Sequence, residues 1–218
     1  MNLIYVLCYD DTTEKIAKDM YKCYAWSRIL RLPSSNIYLE SIMYKGKMME
    51  LEDEWKDKKY VGTISWKFFK KSNLNLLNQL MMSANNYDFI KLIKSSEDGH
   101  WHDTLMEKIT IEFSSRVGIV VPKKHKWFFC NYWCSTPSFM REYCKWFQST
   151  VVPAIDLYPD LKEKCNYENG VLTAEECLVN LGVPHYPYLP FICERLISLY
   201  LSKKPSLKVN QFKSHHSK

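Results

Sequence analysis

The strongest constraint on the fold is the opening of the chain, where a short apolar run is followed at once by a helix pattern. Leu3–Cys8 is a continuous run of strand-forming residues, which is typical of a strand buried on both faces of a mostly parallel sheet. Tyr9, Asp10 and Asp11 end this run, and the spacing of Asp11 and Glu14 matches a capping box at a helix start. A strand, a polar turn and a capped helix predict an α/β fold, in which helices flank a mostly parallel sheet.

The remaining chain repeats this alternation of strand and helix patterns. Further strands are predicted at Asn36–Tyr44, Tyr60–Phe69, Tyr87–Ile93 and Trp127–Cys134. Further helices are predicted at Met48–Lys58, Leu74–Ala84 and Asp103–Phe113, after Thr136, and at Thr173–Asn180 and Phe191–Ser202. No linker-like change in composition divides these elements, so we expect a single domain over residues 1–202. The remainder, 203–218, is predicted to be a flexible basic tail, because it is rich in lysine and has no acidic residue.

Charge and glycine content argue against several classes of function. The chain has a net charge of +6, but five lysines lie within residues 201–218. The folded remainder is therefore close to neutral, which does not favour nucleic-acid binding. The glycines form neither a P-loop nor a Gly-x-Gly-x-x-Gly motif, which argues against a P-loop enzyme or a dehydrogenase.

The cysteines and the N-terminal segment indicate a reducing, cytoplasmic setting. Most of the eight cysteines lie within apolar stretches, where free thiols behave as small hydrophobic groups. No secretory signal pattern follows Met1. The most apolar late segment, Leu189–Leu201, is interrupted by Glu194 and Arg195, which argues against a membrane span.

Two polar segments follow predicted strands, which is where open α/β sheets bind ligands. In the first, Tyr9 can stack on a base and Asp10 or Asp11 can accept a ribose hydroxyl, unless Asp11 only caps the helix. In the second, His100 and Asp103 offer metal ligands or a general base. The alternative for this second segment is an exposed polar loop in which Asp103 caps the next helix.

Two further pairs have both a chemical and a structural interpretation. Glu194 and Arg195 lie within an apolar helix, and the arginine fork suits a diphosphate because it can bind two oxygens. The alternative is a buried ion pair.

Cys130 and Cys134 have a Cys-x3-Cys spacing without a matching second pair, which favours buried thiols over a zinc site.

Four sequence motifs follow one another between residues 59 and 201. They are Lys59–Phe69, Tyr87–Ile90 with His100–Asp103 downstream, Asn131–Trp133 with Phe139–Phe147, and Phe191–Leu196. In this order they resemble the bacterial capsular and lipopolysaccharide glycosyltransferases and related glycosyltransferase domains of large DNA viruses. The last two, with Asn-Tyr-Trp and Phe-x-x-Glu-Arg-Leu, are the most specific.

The resemblance implies the glycosyltransferase A fold, which holds a nucleotide beyond the ends of a mostly parallel sheet. It implies transfer of a sugar from a nucleoside diphosphate sugar, with UDP-sugars favoured, to a glycan acceptor. It also implies Mn²⁺ or Mg²⁺ bound by an Asp-x-Asp motif, which this sequence lacks. The ion is therefore expected at Asp88, Asp103 or a histidine, or else basic groups such as Lys67 and Arg195 replace it.

Within this interpretation each predicted site residue has a role. The residues expected to bind the donor are Tyr9, Asp10, Asp11, Ser65, Trp66, Lys67 and Arg195. The residues expected in catalysis are His100, Asp103 and Glu194, and those expected to contact the acceptor are Asn131, Trp133 and His185. The alternative function is a non-enzymatic module that binds glycan or nucleic acid through its aromatic residues and basic tail.

Overall fold

The computed structural model describes residues 1–83, 85–167 and 172–211. In this part of the chain, one six-stranded sheet has the order β2-β1-β3-β5-β4-β6. The strands are β1 Leu3–Cys8, β2 Ser27–Arg31, β3 Val61–Ser65, β4 Phe89–Lys91, β5 Trp133–Ser135 and β6 Val209–Gln211. The β1–β2, β1–β3 and β4–β6 pairs are parallel, whereas β5 is antiparallel to both β3 and β4. The predicted α/β class is confirmed, with a mixed sheet.

Helices cover both faces of this sheet. The α-helices are α1 Asp11–Tyr21, α2 Met48–Glu50, α3 Glu52–Trp55, α4 Leu74–Ser83, α5 Thr104–Arg116, α6 Pro137–Trp146, α7 Val152–Asp156, α8 Ala174–Leu181 and α9 Tyr188–Ser202. Side chains of β1 alternate between the faces, so Tyr5 and Leu7 join one buried cluster and Ile4 and Val6 the other. Helices α5, α6 and α9 pack on the first face, and α1 and α4 on the second. No helix in the described ranges is long and apolar enough to span a membrane.

Two helix starts show how local sequence sets the element boundaries. The capping box of α1 is formed by Asp10 and Thr13, so the prediction of Asp11 and Glu14 was displaced by one residue. Thr136 caps α6 with Pro137 in its first turn, as predicted. Thr173 caps α8, and Gly182 ends it in the left-handed conformation at φ +78°.

The predicted strand Asn36–Tyr44 is wrong. It folds instead into a 3₁₀ turn at Leu39–Ser41 and a π-helical turn at Met43–Lys47. The reason is local, because the Asn36 amide donates to the Leu39 carbonyl and its oxygen accepts the Tyr38 N–H. A side chain that satisfies nearby backbone groups in this way competes with sheet pairing.

The predicted strand Trp127–Cys134 is also shortened, to Trp133–Ser135, because Cys130 adopts φ +56° and breaks the extended backbone. Part of the predicted tail belongs to the sheet, since Val209–Gln211 forms β6 beside β4. Residues 212–218 of that predicted tail lie outside the described residues.

The strand directions bring several loops to one edge of the sheet. β1, β3 and β4 point the same way, so the segments that follow them leave at a common edge. β5 runs in the opposite direction, so the chain enters β5 at this edge through Cys130, Asn131 and Tyr132. This carboxyl edge is where open α/β sheets bind ligands.

Gly62 is required where β3 lies closest to β5. A Cβ atom at this position would overlap the Trp133 carbonyl oxygen and lie 2.6 Å from the Cys134 Cα. We expect Gly62→Ala to lower the free energy of unfolding by about 2–3 kcal/mol in urea denaturation. Gly46→Ala is the control, because no atom lies within 4 Å of its added Cβ. Equal effects of the two substitutions would contradict this account of the sheet.

Candidate functional site

At the carboxyl edge, two glutamates from distant parts of the chain come together. Glu40 is buried in the 3₁₀ turn Leu39–Ser41, which packs against α9. Glu194, in the second turn of α9, is only partly exposed. The Cys130 backbone N–H donates to Glu194 Oε2 at 3.3 Å, and the side-chain amide of the next residue, Asn131, donates to Ser41, which follows Glu40. Because adjacent residues hold Glu194 and the turn that carries Glu40, the two glutamates belong to one site.

This arrangement changes the protonation of both glutamates. Burial, followed by the negative charge of Glu40, raises the pKa of Glu194 to about 7, although Arg195 and Lys71 act against the shift. Burial also raises the pKa of Glu40, opposed by a hydrogen bond from Tyr9 and by the charges of Lys67 and Lys71. Two carboxyl groups in one desolvated site resist ionising together. The pair therefore retains a proton close to neutral pH.

Hydroxyl groups from the strand ends hold the surroundings of the pair. The Tyr9 hydroxyl, directly after β1, donates to Glu40 Oε1 at 3.0 Å. Ser65, at the end of β3, shares a hydrogen bond with the Tyr132 hydroxyl. The Asn131 amide donates to Ser41 Oγ at 3.1 Å. Tyr9 therefore holds Glu40 directly, and Asn131 holds the residue that follows it.

Lysines after β3 supply positive charge on the open side of the pair. Lys71 Nζ lies 3.5 Å from Cys130 Sγ and 5.3 Å from the centre of the Tyr132 ring. Its charge acts on both glutamates, and the charge of Lys67 acts on Glu40. Burial raises the pKa of Cys130 to about 12, so this thiol remains protonated and is a poor nucleophile.

Arg195, predicted to bind a diphosphate, is instead directed into the protein. It is 2% exposed, and its guanidinium donates to the backbone carbonyls of Phe191, Gly99 and His100. The same group lies 4.8 Å from the Phe129 ring centre. Arg195 therefore holds the loop after β4, including the exposed His100, whose backbone has φ +44°.

The acidic residues predicted to bind metal or donor have structural partners. Asp103 caps α5 through Met106 N–H and also accepts the Tyr188 hydroxyl. Asp88 precedes β4, at the opposite edge of the sheet, where it accepts the Lys208 N–H. Asp10 is the cap of α1, and the exposed Asp11 pairs with Arg31. Across the described ranges, no three His, Cys, Asp or Glu side chains converge as metal ligands.

The three predicted acceptor contacts lie in different surroundings. Asn131 lies beside the glutamate pair. Trp133 is fully buried between Tyr44 and Phe89, which leaves it no surface for an acceptor. His185 lines a cavity of about 390 Å³ together with Tyr167. Burial raises the pKa of Tyr167, and the charge of Glu194 adds to this effect.

The sequence interpretation missed Glu40, Lys71 and Tyr132. Glu40 was placed on a predicted strand, although an acidic residue inside the apolar stretch Ile37–Tyr44 is itself a signal of a special environment. Lys71 is the last residue of a basic cluster after β3, and its signal is the recurrence of lysine at 67, 70 and 71. Tyr132 lay inside a quoted motif without a role of its own.

Glu194→Gln tests the burial of this charge through the pH dependence of stability. The pKa of Glu194 is near 7 in the folded protein, which is above its pKa in the unfolded protein. The wild-type protein therefore loses stability as the pH rises from the unfolded pKa to the folded pKa. We expect the variant's stability advantage to grow from pH 5 to pH 8 by an amount on the order of 2 kcal/mol. Glu50→Gln, an exposed position on α2, controls for the loss of one negative charge. A Glu194→Gln difference that is constant with pH would contradict the burial argument.

Comparison of the chain with models of known protein families, with curated proteins and with solved structures gave no match. The function therefore has to be inferred from the chemistry of the site. That chemistry combines a carboxyl pair that titrates near neutral pH with lysines at the ligand-binding edge of an α/β sheet.

Proposed function

We propose that this chain is a glycosyltransferase that transfers a sugar from a nucleoside diphosphate sugar, with UDP-sugars favoured, to a hydroxyl group of a glycan. The observation that carries the proposal is Glu194, a partly exposed carboxyl group with a pKa of about 7 beside lysines at the carboxyl edge. Inverting sugar transfer uses both groups, a base for the acceptor hydroxyl and cations for the leaving diphosphate, whereas retaining transfer does not need the base.

The positions of the resembling segments add support. Lys59–Phe69 contributes the end of β3, Asn131–Trp133 the entry to β5, and Phe191–Leu196 the part of α9 that carries Glu194. These segments are far apart in the chain but meet around the glutamate pair. A mixed sheet in which only β5, of the six described strands, runs against the other strands, with a site beyond the strand ends, is compatible with the glycosyltransferase A fold that the resemblance implies.

In the proposed reaction Glu194 is the general base. The acceptor hydroxyl gives its proton to the Glu194 carboxylate, and the acceptor oxygen forms a bond to the anomeric carbon of the donor sugar. The bond from that carbon to the diphosphate oxygen breaks, and its electron pair leaves with the diphosphate. A single displacement of this kind inverts the configuration at the anomeric carbon. A base with a pKa near 7 is well matched to work at neutral pH.

Glu40 acts through Glu194 and is a positioning residue. Its negative charge is one of the causes of the raised pKa of Glu194, and the Tyr9 hydroxyl fixes its orientation. The donor side comprises Tyr9, Trp66 and Lys67 after β1 and β3, and the fully buried Ser65 supports it from within through the Tyr132 hydroxyl. The acceptor is assigned to the cavity lined by His185, and the buried Asn131 acts through Ser41 rather than by contact with the acceptor.

A transfer assay with UDP-, GDP- and CMP-sugars and a panel of glycan acceptors tests this function. We expect wild-type kcat to rise with pH through about 7 and Glu194→Gln to lower it roughly 10²–10⁴-fold. Glu50→Gln is the matched control and should transfer sugar at the wild-type rate. Full activity of a folded Glu194→Gln protein would remove this residue from the mechanism. Glycan or nucleic-acid binding without transfer of any donor would favour the non-enzymatic module instead.

A further inference from the structure

The short turn after β3 carries three lysines in two different environments. Lys70 Nζ lies 5.5 Å from the Trp66 ring centre and 5.9 Å from that of Phe69. Lys71 Nζ instead lies 3.5 Å from Sγ of Cys130, the residue whose backbone N–H donates to Glu194. The charges of Lys67 and Lys71 both act on Glu40. Two of the three lysines therefore direct their charge towards the site.

A divalent metal ion of the kind implied by the resemblance fits this site poorly. Mg²⁺ and Mn²⁺ prefer several oxygen ligands, usually including carboxylates. Asp88 lies at the opposite edge of the sheet, and Asp103 uses its oxygens to cap α5 and bind Tyr188. The carboxyl groups that do converge, Glu40 and Glu194, already accept N–H or O–H donors.

The side-chain oxygen of Asn131 would suit a metal ion, but the positive charges of the neighbouring lysines oppose metal binding. The buried Asn131 Oδ1 has no hydrogen-bond partner within the described part of the chain. However, an ion held there by the glutamates would also face the charges of Lys67 and Lys71, which repel a second cation. A diphosphate placed on the same side would be attracted by both lysines.

Arg195 does not supply this charge, although its sequence position suggested that it would. Its guanidinium donates to three backbone carbonyls, those of Phe191, Gly99 and His100. Within the described residues, Lys67 and Lys71 are two exposed lysines whose charges act on the glutamate pair. Lysine ammonium groups bind phosphate as compact point charges.

We infer that Lys67 and Lys71 hold the diphosphate of the donor in place of a divalent metal ion. This inference rests on the proposed function, because it assigns the diphosphate subsite of the same site. Both lysines neutralise charge that grows on the diphosphate as the glycosidic bond breaks. Trp66 directly precedes Lys67 in the chain.

The test measures the binding of UDP and GDP to the full chain by thermal stabilisation and by titration calorimetry. Each measurement is made once with excess EDTA and once with Mn²⁺. We expect one nucleotide to bind in EDTA with an affinity that Mn²⁺ leaves within about threefold. Lys67→Met and Lys71→Met should each weaken binding in EDTA by roughly tenfold or more. Lys70→Met is the matched control, since it removes the same charge from the same turn, and should bind as the wild type does.

The outcomes separate the diphosphate subsite from the function itself. Binding that requires Mn²⁺ and is lost in EDTA would overturn the lysine subsite and leave the glycosyltransferase proposal standing. Unchanged affinity of Lys67→Met and Lys71→Met in EDTA would also overturn the lysine subsite and leave the glycosyltransferase proposal standing. Failure of every nucleotide to bind folded protein, with or without Mn²⁺, would remove the donor site and the proposed function together. Lys71→Arg, which keeps the charge, should restore most of the affinity lost in Lys71→Met and so excludes a purely structural effect.

Discussion

The repulsion between two carboxyl groups that are buried side by side governs the arrangement of this site. Glu40 accepts the Tyr9 hydroxyl and Glu194 accepts the Cys130 backbone N–H, so both of these hydrogen-bond donors are neutral groups. Partial burial makes ionisation of both costly, and lysines on the open side offset the cost only in part. The glutamate pair therefore exchanges a proton near neutral pH, at the place where the proposed reaction brings an acceptor hydroxyl and a diphosphate together.

The sheet topology is what makes this pairing possible. β5 runs against its neighbours, so its first residues are at the same edge as the last residues of β1 and β3. Cys130 has a left-handed conformation and donates its backbone N–H to Glu194, and such turns are suited to holding negative groups. An all-parallel sheet would have placed the entry to this strand at the opposite edge.

Much of the fold could be predicted from sequence, because apolar runs and capping residues are local signals. The strands after Met1 and Tyr60, the caps at Thr136 and Thr173, and the helix that carries Glu194 all follow from such signals. Glu40 could not be placed, because its segment has strand-forming residues that Asn36 diverts into turns. The roles of Glu194 and Arg195 also required the structure. Neighbours on a helix point about 100° apart, so one faces the site and the other the loop after β4.

The central claim is that Glu40 and Glu194 form one coupled pair, and direct titration of their side-chain carboxyl carbons by NMR tests it. The account predicts that Glu194 titrates near pH 7 in the wild-type protein and at a clearly lower pH in Glu40→Gln, because the neighbouring negative charge is gone while the burial remains. A Glu194 carboxyl group that titrates in the range of an exposed glutamate, or that does not respond to Glu40→Gln, would contradict the pairing on which the proposed chemistry depends.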